Sequence, residues 1–127
     1  MATEEKVNHI TALAGADLSA ALYKFGTWDS TGRIVVAGTA QGPVAGVIDE
    51  NVALGANFPL AQPDGCKKKV MAGAAIAALG TRLATDASGR AIAWVNAAGN
   101  VDLGVNLEVA AAAGEIITIH FLHGRTG

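Results

Sequence analysis

The sequence predicts an all-β protein built as one domain, and three observations carry that reading. Short apolar runs alternate with turn residues along the whole chain, and the 16 glycines among 127 residues are spread out, not gathered into one block. The last run, EIITIHFL (115–122), is β-branched at Ile116, Ile117, Thr118 and Ile119, which suits a pleated, half-buried strand. One turn is also written twice, as WDSTGRIVVA (28–37) and TDASGRAIAW (85–94). Evenly spaced short strands with turn signals between them read as a sandwich or a barrel.

Taken in order, the first 13 residues read as a flexible N-terminal arm carrying Glu4, Glu5 and Lys6 in a row, and residues 14–127 as a single β domain. Strands are predicted around 18–25, 33–37, 44–48, 57–62, 67–72, 76–84, 91–95, 101–107 and 115–122. In the last of these, Ile117, Ile119, Phe121 and His123 share the more apolar face and are expected to point into the core. Ile116, Thr118, His120 and Leu122 alternate to the other face. Two alanine-rich segments, MAGAAIAALG (71–80) and LEVAAAAGE (107–115), have intrinsic helix propensity. Both are short and interrupted or closed by glycine, and helices of fewer than about 12 residues are marginal alone. They are expected to be loops with at most one helical turn.

The duplication runs past the turn. Asp29, Gly32 and Arg33 match Asp86, Gly89 and Arg90 at an offset of 57, GVIDE (46–50) matches GVNLE (104–108) at 58, and Gly55 matches Gly114 at 59. The half-repeats span about 18–62 and 76–122. The turn has a simple mechanism. An Asp carboxylate accepts from backbone N–H groups two residues on, and glycine supplies the positive φ that closes the turn. Asp29, Gly32, Asp86 and Gly89 are therefore expected to be structural turn residues. A hydrolase using Asp29 and Asp86 as paired carboxylates is the alternative that would make them catalytic. A duplicated scaffold explains the symmetry more simply.

Composition narrows the function. A net charge of −2 and a pI of about 5.8 argue against nucleic-acid binding through bulk charge. A single cysteine, Cys66, excludes an intrachain disulfide framework. The start of the chain, MATEEKVNHITA, lacks the basic and apolar regions of a signal peptide, and no apolar run approaches the roughly 20 residues a membrane helix needs. A soluble protein made in the cytoplasm, with no membrane partner, is expected. The glycines of GTAQGPVAG (38–46) lack the Lys-Ser/Thr of a phosphate-binding loop. His120 and His123 are three apart in a strand and so point to opposite faces, which disfavours a metal site. No catalytic residue, metal, cofactor or small-molecule substrate is expected. The residues left as candidate contacts are Trp28, beside the first turn, and the run Lys67, Lys68 and Lys69. That run suits either a protected strand edge or an acidic partner.

Together, GTRLATDASGRA (80–91), LGVNLEVAAAAGEIITIHF (103–121) and the earlier half-copy WDSTGR with AGVIDENVALGANFPL resemble the decoration (cement) proteins of tailed-phage capsids, over roughly residues 12–122. The resemblance implies a small β-barrel or β-tulip without catalysis. It implies binding to the outer surface of a phage shell, where neighbouring subunits of the major capsid protein meet, often as a homotrimer. It also implies an N-terminal arm that helps make the shell contact, so Glu4, Glu5 and Lys6 join Trp28 and the three lysines as expected capsid or subunit contacts. Deleting residues 1–12 is expected to leave the fold intact and to weaken shell binding. A phage carbohydrate- or receptor-binding β-module is the competing reading. Its sugar-stacking aromatics would have to come from Trp28, Trp94 and Tyr23.

Overall fold

The structure is a computed structural model that describes residues 9–126, with side chains described as far as Leu122. Glu4, Glu5 and Lys6 lie outside the described residues. The chain is all-β: ten strands and, among the described residues, no helix. Apart from Met71, which belongs to a strand, both alanine-rich segments are loops. β1 (His9–Leu13), β2 (Lys24–Trp28), β3 (Ile34–Val36), β4 (Gly46–Ile48) and β5 (Asn57–Ala61) form an antiparallel sheet in the order β1-β5-β4-β2-β3. β6 (Lys67–Met71), β9 (Val101–Asn106) and β10 (Ile116–Thr126) form a second sheet, β6-β10-β9, and β7 (Leu83–Thr85) pairs with β8 (Ala91–Ala93).

The duplication is one of topology. A bridge between Arg82 and Val105 joins β9 to the start of β7, and it is the counterpart of Phe25↔Val47 between β2 and β4. The second half therefore has the order β6-β10-β9-β7-β8, the same as the first. Loop contacts repeat as well. The N–H of Leu18 donates to Val52 O at 2.8 Å, and that of Ile76 to Ala110 O at 2.9 Å. The N–H of Gly55 donates to Ala14 O at 3.0 Å, and that of Gly114 to Ala72 O at 2.8 Å.

Three expectations need correction. None of the sheets closes into a barrel: β1 and β3 stay as edges of the first sheet, and β6 as an edge of the second. The halves meet instead through loops and side chains. The segment 1–13 is not all arm, because its His9–Leu13 stretch pairs with β5 from His9↔Ala61 to Leu13↔Asn57. Ala12 of that strand is buried in the core, so a deletion through residue 12 would remove most of β1. The apolar runs at 18–25 and 76–84 are mostly loop, contributing only the start of β2 and the first two residues of β7. In their loop portions, Leu18 and Ala21 are buried in the first and Ile76 in the second, which is why those runs read as strands.

One cluster of buried residues, from Ala12 to Leu60, belongs to the first half. The other takes Phe25, Ala37, Val47 and Ala61 from the first half and packs them with Val70, Leu83, Leu103, Ile117, Ile119 and Phe121 of the second. The predicted inward face of the last strand is buried at Ile117, Ile119 and Phe121, and Ile116 and Leu122 are exposed on the other.

Candidate interaction surface

The two turns use their carboxylates locally. Asp29 Oδ1 accepts from Thr31 N–H (2.8 Å), Thr31 Oγ1 (2.7 Å) and Arg33 N–H (3.0 Å). Asp86 Oδ1 accepts from Ser88 N–H and Arg90 N–H, both at 2.8 Å, and Oδ2 accepts from Arg90 Nε at 3.1 Å. Gly32 and Gly89 take φ of +80° and +76° to close the turns. The other side of each carboxylate packs on a glycine that the sequence reading missed. A Cβ on Gly15 would meet Asp29 Oδ2, Arg33 and Val35, and a Cβ on Gly73 would meet Asp86 Oδ2, Arg90 and Ile92. The signal was present in the matching triplets Ala14-Gly15-Ala16 and Ala72-Gly73-Ala74. Each turn thus rivets its hairpin to the start of its own half.

These bonds have a pH consequence. The Thr31 hydroxyl, then the Arg33 N–H, hold the Asp29 carboxyl below its ordinary value of 3.8. A carboxylate depressed in the folded state adds stability above its unfolded pKa, and that stability is lost as pH falls through the folded value. Asp17 and Glu108 are lowered in the same direction by Ser19 and Thr118. The urea midpoint is therefore expected to fall as pH drops below about 4. Asp29→Asn should lower the midpoint at neutral pH and flatten part of that acid slope. Urea titrations at a series of pH values check both effects.

The three consecutive lysines have different environments. Lys67 and Lys69 are exposed, whereas Lys68 is 8% exposed. Its Nζ is 3.0 Å from Asp64 Oδ1, which also accepts from Cys66 N–H at 2.9 Å. Lys68 is thus a buried structural residue, not a surface contact, because strand alternation turns it inward. Lys68→Ala is expected to cost about 2–4 kcal/mol by breaking a buried pair. Lys67→Ala and Lys69→Ala should each stay within roughly 0.5 kcal/mol of wild type. Urea unfolding of the three variants tests the contrast.

The tryptophans also divide. Trp28 ends β2 at 47% exposed. Trp94 is half-buried beneath the Arg82 guanidinium, which lies 5.5 Å from the ring centroid, so Trp94 is a covered edge and Trp28 the open one. Further exposed apolar side chains, Leu79 and Val109, lie on the paired loops of the second half. Among the described residues, no three His, Cys, Asp or Glu side chains come together to hold a metal ion. A cleft of about 360 Å³ opens between the halves, lined by His9, Tyr23, Val47, Asp49, Lys67, Lys68 and Lys69. His9 Nε2 and Asp49 Oδ2 face each other there at 3.3 Å.

The protein is thus a duplicated β scaffold whose turn carboxylates serve its own backbone. The family model described as phage cement protein matches residues 7–121. The chain belongs to the phage cement protein family. It is accordingly a structural protein of a phage capsid, in agreement with the resemblance seen in the sequence. The fold also resembles the crystal structure of the head fiber gp8.5 N base in bacteriophage phi29, with a TM-score of 0.71 and 19% identity over 94% of this chain and 97% of that one. No curated protein matches the chain. In this cement-family chain, Trp28, Lys67 and Lys69 are exposed, as are the apolar side chains of Leu54, Leu79, Val95 and Val109.

Proposed function

We propose that the chain binds the outer surface of a bacteriophage head and stabilises the shell by cementing neighbouring major capsid subunits. The match to the cement family over residues 7–121 carries this reading. The protein would be made in the host cytoplasm and act as a homotrimer, since closed symmetry suits a binder placed where several subunits meet. Many copies on one lattice let modest contacts add up, which fits a chain with only 5% aromatic residues. Trp28, Lys67 and Lys69 are its proposed contacts, with Glu4, Glu5 and Lys6 of the preceding segment. The protein would act without catalysis or a cofactor. The test is to sediment particles from cells making this protein in its native context, wash them and quantify by mass spectrometry. A fixed, near-stoichiometric ratio to one abundant shell protein is expected. Absence from washed particles would remove the cementing role.

A second reading, a carbohydrate- or receptor-binding module on the phage surface, draws on the exposure of Trp28 and on the fold shared with a head-fibre base. Glycan-array binding that disappears in Trp28→Ala would put it first.

A further inference from the structure

We propose that the outer edge of β6 is a strand-addition site for a short, extended, acidic segment of the shell subunit, an inference that rests on the capsid reading above. The backbone fixes which groups are offered. The carbonyl of Cys66 accepts from Phe121 N–H of β10 at 3.2 Å, whereas the N–H of Met71 turns the other way and donates to Tyr23 O at 2.8 Å. Along a strand these directions alternate residue by residue. The N–H and C=O groups of Lys67 and Lys69 therefore face away from β10, on the side of Met71. β6 is an edge strand of its sheet, and these are the groups an added strand would pair with.

The cleft lies along this edge, lined by all three lysines with His9, Tyr23, Val47 and Asp49. Its volume of about 360 Å³ is at the small end for a binding site, which limits the guest to a few residues. Charge selects the guest's chemistry. Lys68 is neutralised by Asp64, and His9 faces Asp49. The exposed pair Lys67 and Lys69 leaves a positive edge on a chain of net charge −2, with Glu108 the nearby acid that feels Lys69. Lysines on an edge discourage pairing with like strands. The same lysines favour a guest whose alternate residues are Asp or Glu, since opposite charges on paired strands attract.

Two measurements on washed heads carrying the full-length protein test this. A zero-length carbodiimide joins a lysine amine to a carboxylate in direct contact. Coupling of Lys67 or Lys69 to an Asp or Glu of the shell subunit is expected. Coupling only to Glu4, Glu5 or another acid of this protein, or no coupling, overturns the proposal. The second measurement is occupancy on heads lacking the protein. Lys69→Pro removes an N–H that faces away from β10, so the fold is expected to tolerate it. It should reduce affinity about tenfold or more, as should K67E combined with K69E. If Lys69→Pro fails to fold, the charge-reversed pair carries the test. If wild type binds heads and these variants bind equally well, the strand-addition site falls and the capsid reading stands. If wild type does not bind heads, both fall.

Discussion

Gly104→Ala is expected to destabilise the protein by about 3–5 kcal/mol, far beyond an ordinary glycine substitution. Gly104 sits in β9 at φ +129° and pairs with Phe121 of β10. A Cβ there would fall on the carbonyl oxygen of His120. That oxygen is main chain in a paired strand, so relief requires the two strands to separate. The repeat counterpart behaves alike: a Cβ on Gly46 would fall on the carbonyl oxygen of Ala61 and against the Leu60 side chain. Gly80→Ala is the control, because Gly80 also has positive φ, +73°, but nothing lies within 4 Å of its added Cβ. That variant should cost only about 1 kcal/mol, the local backbone term. Urea unfolding decides between them, and equal losses for Gly104→Ala and Gly80→Ala would show that the strand approach is not what requires glycine.

The match of GVIDE with GVNLE was visible as a repeat, but the reason for its leading glycine is a close approach between strands far apart in sequence. Local signals were legible because their causes are local. The Asp-x-Ser/Thr-Gly-Arg turns specify themselves through bonds spanning two to four residues. The alternation of the last strand sorted Ile117, Ile119 and Phe121 inward from period alone. β1 is not legible in the sequence because HITAL has weak alternation and takes its order from β5, a partner far along the chain, in a register that runs from Leu13↔Asn57 to His9↔Ala61. The lysine run showed its charge but not its division, since only the strand's phase decides that Lys68 turns in toward Asp64. The runs at 18–25 and 76–84 read as strands because a few buried residues in their loop portions, Leu18 and Ala21 in one and Ile76 in the other, supply the apolar signal.

Phe121→Ala is expected to cost about 3–5 kcal/mol, the range for emptying a buried aromatic site, and to leave one unfolding transition. Phe121 belongs to the second half, is fully buried, and places its ring 5.7 Å from that of Phe25 of the first half at an interplanar angle of 41°. Around this pair the larger core draws residues from both halves. Main-chain bonds cross the same boundary: Phe25 N–H to Gly89 O at 2.7 Å, Gln41 N–H to Thr85 O at 2.8 Å and Val101 N–H to Gln41 O at 2.9 Å. The Gln41 side chain adds bonds to Ala93 O and from Val95 N–H. A duplicated chain could have kept two separable units, but here the aromatic contact and the main-chain bonds between loops and strands tie both halves into the larger core. The two tryptophans allow a direct reading, because Trp28 lies in the first half and Trp94 in the second. Fluorescence of Trp94→Phe reports the first half and of Trp28→Phe the second. With Phe121→Ala added to each, both probes should shift to lower urea by the same amount and stay coincident. If the Trp94 probe moved while the Trp28 probe kept its midpoint, the repeats would be two folding units joined by a seam.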